Sequence, residues 1–272
     1  MPITVSLARV NWTLGLIVVA LTFLGLVSEV LLSVYQEDWA FGLVPLLNLS
    51  YSANIPTWYS SILLLACAGL LGGIAWIKLG QDAPYGRHWT ALALILGYLS
   101  INELVRIQEV INPALTDTYH LNGLFTLSWV FPFSILVALF ALAYLGFLRH
   151  LSHRFQVWFG TAGALYVGGA LGTELLISLW YGSHGGDNLV YGLLNLAQAS
   201  FEIVAVTVFL SALLAYISTE IGELRINLRD QAPPERVRRP KKRAAEKSPT
   251  NNAAITLKDK LKARYFLRYE TR

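Results

Sequence analysis

Hydrophobic residues make up 55% of this 272-residue chain and charged residues only 14%. A soluble domain of ordinary composition carries about 25% charged residues, so a water-soluble globule is excluded. Disorder across the body of the chain is excluded too, because it requires low hydrophobicity. The formal net charge of +4 joins two opposed parts: residues 1–218 hold six Lys/Arg against ten Asp/Glu, and residues 219–272 hold fifteen against seven.

Six apolar segments are long enough to span a bilayer: Trp12–Tyr35, Thr57–Leu79, His88–Ile111, Asn122–Leu148, Phe155–Tyr181 and Leu189–Ser218. Backbone groups cannot stay unpaired in lipid, and the runs are continuous rather than alternating, so helices are predicted and a β-barrel is not. The fold class is therefore all-α, a polytopic membrane protein with six transmembrane helices over residues 1–218. Cys67 is the single cysteine and lies inside the second segment. It excludes an intrachain disulfide and a cysteine-based zinc site.

Orientation comes from the loops. Arg9, Lys78, Arg87, Arg149 and Arg154 flank one set of span ends, while loops 36–56, 112–121 and 182–188 contain no Lys or Arg. The positive-inside rule then places both termini in the cytoplasm. The first span reads as uncleaved, and no inverted repeat of the transporter kind is seen; a bacterial inner membrane, or a cyanobacterial one, is the expected host. Loop 36–56 is long and carries Trp39, Phe41, Leu43, Leu46 and Leu47, which reads as an interfacial or re-entrant piece on the outer face. Within it, Asn48-Leu49-Ser50 matches the glycosylation pattern. Two GxxxG pairs, Gly69/Gly73 and Gly168/Gly172, read as sites of close helix packing inside the chain.

The chemistry lies in ionisable residues within spans, which are costly in lipid and are functional candidates for that reason. There are six: Glu29, Glu103, Arg106, Glu109, Glu174 and Glu202. From the helical rise, Glu29 and Arg106 fall roughly 8–9 Å below the outer ends of their spans, Glu174 roughly 10 Å, Glu103 roughly 12–13 Å and Glu202 roughly 20 Å, with Glu109 at the rim. On an unbroken third helix, Asn102, Glu103, Arg106 and Glu109 share one face. Asn195, Gln198 and Glu202 form a stripe on the sixth span, and Glu29 and Ser33 lie on one face of the first. Each stripe must avoid lipid, so a shared outward-facing polar chamber is expected. Five carboxylates accompany one arginine, and they cannot all remain ionised there. Protons, a cation or water must compensate them. The alternative is helix glue, in which each polar group only bonds a neighbouring helix.

No HExxH, GxSxG, Walker-type or dinucleotide-binding pattern is present. His120 and His184, in outer loops, could join several glutamates at a metal, but no spacing requires it; cofactor and metal stay unassigned.

Three stretches carry a resemblance: Ala53–Ser61 (ANIPTWYSS), Tyr98–Glu103 (YLSINE) running on to Gln108-Glu109, and Gly168–Leu175 (GGALGTEL) with Gln198 and Glu202 beyond it. Together they resemble a family of uncharacterised bacterial multipass proteins whose third span reads Ser-Leu-Asp-Glu and ends in His-Glu. The resemblance implies a six-helix membrane domain. In this chain Asn102 stands where that family has Asp and Gln108 where it has His, so two ligands of any metal held by the family's pattern are replaced.

After residue 218 the sequence changes character. Residues 219–252 read as a helical extension and a disordered basic linker, with Arg236–Arg243 (RVRRPKKR) at its centre. Residues 253–272 mix Ile255, Leu257, Leu261, Tyr265 and Phe266 with Lys and Arg, the pattern of a basic amphipathic helix. Anionic lipid head groups are the expected partner of this tail, or else another membrane protein; no specific nucleic acid is predicted.

Three functions fit these residues. The first is binding or transport of a small polar or cationic ligand or of protons through an outward-facing acidic pocket. Glu29, Asn102, Glu103, Arg106, Glu109, Glu174, Asn195, Gln198 and Glu202 would line it. The second is an intramembrane lipid hydrolase using a metal or a carboxylate. The third is a structural or assembly subunit of a membrane complex.

Overall fold

The structure, a computed structural model, describes residues 6–107 and 130–221, with the side chains of 130–132 excepted. These residues belong to the first of the chain's two compact units, Met1–Arg225. Among the described residues every regular element is helical. In chain order they begin with α1 (Leu7–Ser33), a 3-10 turn (Ala40–Gly42), α2 (Leu43–Leu47), α3 (Ile55–Gly80), α4 (Gly86–Val105) and α5 (Val130–His150). The remainder are α6 (His153–Val167), a π-helical turn (Gly168–Thr173), α7 (Glu174–His184), α8 (Leu189–Tyr216) and a second π-helical turn (Ile217–Ile221).

Among the described residues, five helical stretches are long and apolar enough to cross a membrane: Leu7–Ser33, Ile55–Gly80, Phe133–His150, His153–His184 and Leu189–Ile221. Five of the six segments read from the sequence thus have a membrane-length apolar helix among the described residues. The segment that falls short is α4, whose 20 residues contain Arg87, His88, Asn102 and Glu103. α4 itself ends at Val105, within the expected third span. Arg106 takes a left-handed backbone (φ 52, ψ 53) and caps α4. Asn102 fixes this end, its carbonyl accepting from Arg106 N at 2.7 Å and its side chain from Ile107 N at 3.2 Å. Arg106 therefore does not continue the helical stripe of Asn102 and Glu103. Glu109, Gln108 and His120, the start of the expected fourth span, and the tail with its amphipathic helix lie outside the described residues.

Local signals explain the helix starts. Asn54 precedes α3 and its Oδ1 accepts from Thr57 N at 3.0 Å and Thr57 Oγ1 at 2.7 Å. Pro56 occupies the first turn, where its missing N–H costs nothing. Asn188 does the same for α8 through Tyr191 N at 3.0 Å.

α8 is the hub, packing on α1, α3, α6, α7 and the first π turn. α3 and α4 form an antiparallel pair, bolted by Ser61 and Ser100, each hydroxyl donating 2.9 Å to the other's carbonyl. Leu63, Leu64, Cys67, Leu71 and Ile74 of α3 are buried in the core, and the Cys67 Sγ faces the Val206 carbonyl. The opposite faces are apolar and open: Leu136, Leu139 and Leu142 on α5 and Val19 and Phe23 on α1 are exposed. A bilayer covers such faces, water does not.

The topology gathers Arg9, Lys78, Arg87, Arg149 and Arg154 at one end of the bundle, where α1 and α6 begin, α3 ends, α4 begins and α5 ends. Aromatic packing closes that end: Trp89 contacts Phe147, Phe159 and Tyr216 with centroids 4.9, 6.1 and 5.1 Å away. Among the described residues Arg106 alone of the Lys and Arg lies at the other end.

Neither GxxxG pair packs as expected. A side chain added at Gly69, Gly73, Gly168 or Gly172 would meet nothing within 4 Å among the described residues. The second pair falls in the π turn, whose wider winding removes the four-residue register that GxxxG needs. The close approach is made instead by Gly169, where a Cβ would stand 2.8 Å from Phe201 Cβ and 3.5 Å from Glu202 Cγ.

Candidate functional site

In the half of the bundle away from the basic residues lie two polar assemblies.

The first centres on Glu29, which is 3% exposed. Its Oε1 accepts from Ser33 Oγ at 2.7 Å, one turn on along α1. Its Oε2 accepts from Asn48 Nδ2 at 2.9 Å and from Ser50 Oγ at 3.4 Å. Asn48 is fully buried, and its Oδ1 accepts from Ser50 N at 2.7 Å. The segment after α2 is thereby tied to α1 through one carboxylate. Gly192 of α8 makes the room: a Cβ there would overlap the Glu29 carboxylate. The Asn-Leu-Ser match to the glycosylation pattern is thus an internal clasp, with its asparagine closed to any modifying enzyme. Glu29 is occupied by these donors and stands apart from the other acids.

The second assembly is formed by Glu103 of α4, Glu174 of α7 and Glu202 of α8, all partly buried. Gln198 links two of them. Its Nε2 donates to Glu174 Oε2 at 2.9 Å, and its side chain also reaches Glu202. Glu103 and Glu174 both lie within electrostatic range of Glu202, as does Arg106. Ser60 lies against Glu103. Tyr166 of α6 sits beside both Glu103 and Glu202.

The π turn positions this group. Gly169 lets the backbone of the α6–α7 rod lie on α8 beside Gln198 and Glu202. The extra residue of a π turn rotates the next helix relative to an α-helical continuation, and Glu174 is the first residue after the turn. The Thr173 hydroxyl donates to the Gly169 carbonyl within the turn. Other polar atoms are buried on the neighbouring helices. Ser200 Oγ of α8 has no hydrogen-bond partner among the described residues, and the Tyr59 hydroxyl of α3 lies against Thr207 of α8.

Asn102 and Asn195, both expected to line the chamber, have local bonds. Asn102 caps α4, and Asn195 Nδ2 donates back to the Tyr191 carbonyl at 2.9 Å. Arg106 reaches the assembly from the side. It acts on Glu103 and Glu202, and Tyr191 feels both Arg106 and Glu174. Its outer side lines an open cleft of about 800 Å³ with Trp39, Phe41, Leu46, Ser50 and Tyr51.

No sequence pattern marks Ser60, Tyr166, Gly169 or Gly192. Serine and tyrosine within a span carry little signal, and a glycine's contacts depend on a partner helix. For metal, no three His, Cys, Asp or Glu side chains among the described residues are placed to hold an ion. His184 is exposed, stacked on Trp180 with centroids 4.0 Å apart, its Nδ1 2.7 Å from Ser183 Oγ.

A family model described as a domain of unknown function (DUF8692) matches residues 12–217. No curated protein and no solved structure matches the chain.

Proposed function

The chain belongs to the family of that domain of unknown function, DUF8692, and we propose that it is a membrane protein that binds a small cationic ligand or protons in a pocket open to the outer face. In this reading α4 is a sixth span, since 20 residues at about 1.5 Å each make roughly 30 Å. Both termini are cytoplasmic, supported by the five basic residues gathered at one end of the bundle.

The observation that carries the reading is that Glu103 and Glu174, from two other helices, both lie within electrostatic range of Glu202, as does Arg106, with Gln198 joining Glu174 to Glu202. Among the described residues, three carboxylates against one guanidinium leave negative charge in excess. In a low-dielectric site that excess demands a proton or a cation. Helix glue needs one acceptor per donor and gains nothing from gathering like charges. The π turn supports the same reading, since such irregular turns recur at functional sites.

The test uses the full chain in vesicles with ethylammonium as probe. Wild-type binding is expected to weaken in acid, as protons displace the cation. Glu202→Gln should weaken neutral-pH binding about tenfold, the effect of about 1.4 kcal/mol, and flatten the pH profile. A folded variant with wild-type melting, affinity and profile defeats the proposal.

A further inference from the structure

The cleft on the outer side of Arg106 has a composition that the acidic pocket does not explain. Trp39 and Phe41 are 66% and 100% exposed, and Leu46 is 51% exposed. Phe41 holds a left-handed backbone (φ 57), and Gly42 comes next at φ 83. A phenylalanine ring so exposed is suited to a hydrocarbon environment at the membrane surface. Arg106, Ser50 and Ser52 line the same cleft. Arg106 also lies within electrostatic range of Glu103 and Glu202, neither of which is among the residues that line it.

Arg106 is therefore shared between an apolar shelf and a group of acids. Each part has a chemical complement. An acyl chain suits the shelf. A phosphate suits a guanidinium, because the fork of donors matches its oxygens. An ammonium suits the carboxylates. We infer that the ligand is a zwitterionic amphiphile, a single-chain or double-chain phospholipid whose head carries a phosphate and, beyond it, an ammonium. Its chain lies on Trp39 and Phe41, its phosphate meets Arg106 and its ammonium enters the Glu103–Glu174–Glu202 pocket. The inference rests on the proposed pocket and names the class of ligand that it takes. The Glu29 clasp serves it by fixing Ser50 and the segment that forms one wall of the cleft.

The experiment measures binding to the purified full chain in dodecylmaltoside by tryptophan fluorescence, with four probes. Lysophosphatidylethanolamine carries chain, phosphate and ammonium; lysophosphatidylglycerol lacks the ammonium. Dodecyltrimethylammonium lacks the phosphate, and phosphoethanolamine lacks the chain. Lysophosphatidylethanolamine should bind tightest. Arg106→Gln should weaken both lysophospholipids by about tenfold or more and leave dodecyltrimethylammonium within about twofold. Glu202→Gln should weaken lysophosphatidylethanolamine and dodecyltrimethylammonium but not lysophosphatidylglycerol. If Arg106→Gln does not fold, Phe41→Ser, which alters an exposed side chain, should weaken the chain-bearing probes and spare phosphoethanolamine.

Lysophosphatidylethanolamine binding that ignores Arg106→Gln, or Phe41→Ser in its place, overturns the inference. So does phosphoethanolamine binding as tight as that of the lysolipid, which would mark a soluble ligand. Glu202-dependent binding of dodecyltrimethylammonium without lysophospholipid binding overturns this inference alone and leaves the pocket standing. Binding of dodecyltrimethylammonium indifferent to Glu202→Gln overturns both.

Discussion

The carboxylate of Glu29 occupies the space that a side chain at position 192 would fill. α1 and α8 meet there with a glycine on one side and a buried carboxyl group on the other, and its oxygens are turned to Ser33, Asn48 and Ser50. Gly192→Ala must therefore displace the carboxylate and strand its donors. The expected cost is about 2–4 kcal/mol, from overpacking and a broken buried network. Thermal unfolding of the purified protein measures it. In a Glu29→Ala background the same substitution should cost much less, because the obstacle is gone. Equal costs in both backgrounds would show that the contact carries no energy.

The glycines of the two GxxxG pairs and Gly169 separate by experiment. Gly169→Ala pushes a Cβ to 2.8 Å from Phe201 Cβ and should lower the melting temperature. Gly69→Ala and Gly73→Ala meet nothing within 4 Å and sit inside α3, where alanine is favoured over glycine by about 1 kcal/mol. They should be neutral or stabilising. Destabilisation by Gly69→Ala or Gly73→Ala would mean that another surface, such as a second copy, packs there.

Ser61 and Ser100 each donate 2.9 Å to the other's carbonyl. Each serine-to-alanine change should cost about 0.5–1 kcal/mol, the range for hydrogen bonds between membrane helices. With the hydroxyls also 3.1 Å apart, the double variant should cost less than the sum of the singles. A double-mutant cycle in unfolding free energy reads this directly; strict additivity would show that the two bonds are independent.

Gln198 donates to Glu174 at 2.9 Å and reaches Glu202. Gln198→Leu removes the shared donor while keeping side-chain bulk. It should weaken cation binding at neutral pH several-fold and cost about 1–3 kcal/mol, the loss of a buried acceptor's partner. Gln198→Glu adds a fourth acid and should make binding steeper with pH. A Leu variant with unchanged affinity and stability would remove Gln198 from the site.

The chain's helical, membrane-suited character was legible from composition alone, because apolar runs of this length have few other stable forms. The candidate acids stood out for a related reason: charge inside an apolar run is rare, so each instance is informative. Where α4 stops was harder to read. Arg106 looks like a member of an i, i+3 stripe until the left-handed backbone turns it away, and no glycine or proline marks the place. The π turn at Gly168–Thr173 was likewise hidden, since Gly-Gly-Ala-Leu-Gly reads as a helix-packing motif.

By itself the sequence determined the all-helical class, the segregation of basic residues between alternate loops, and the set of acids within apolar runs, since each depends on residue type and spacing along one chain. Only the tertiary structure decided which acids meet. Glu29 has an internal clasp because Gly192 and Asn48, 163 and 19 residues away in the sequence, are brought to it by helix pairing. Glu103, Glu174 and Glu202 converge because Gly169 and the π turn set how α6 and α7 lie on α8. Partnership between side chains on different helices is fixed by crossing and rotation, and periodicity within one helix does not encode either.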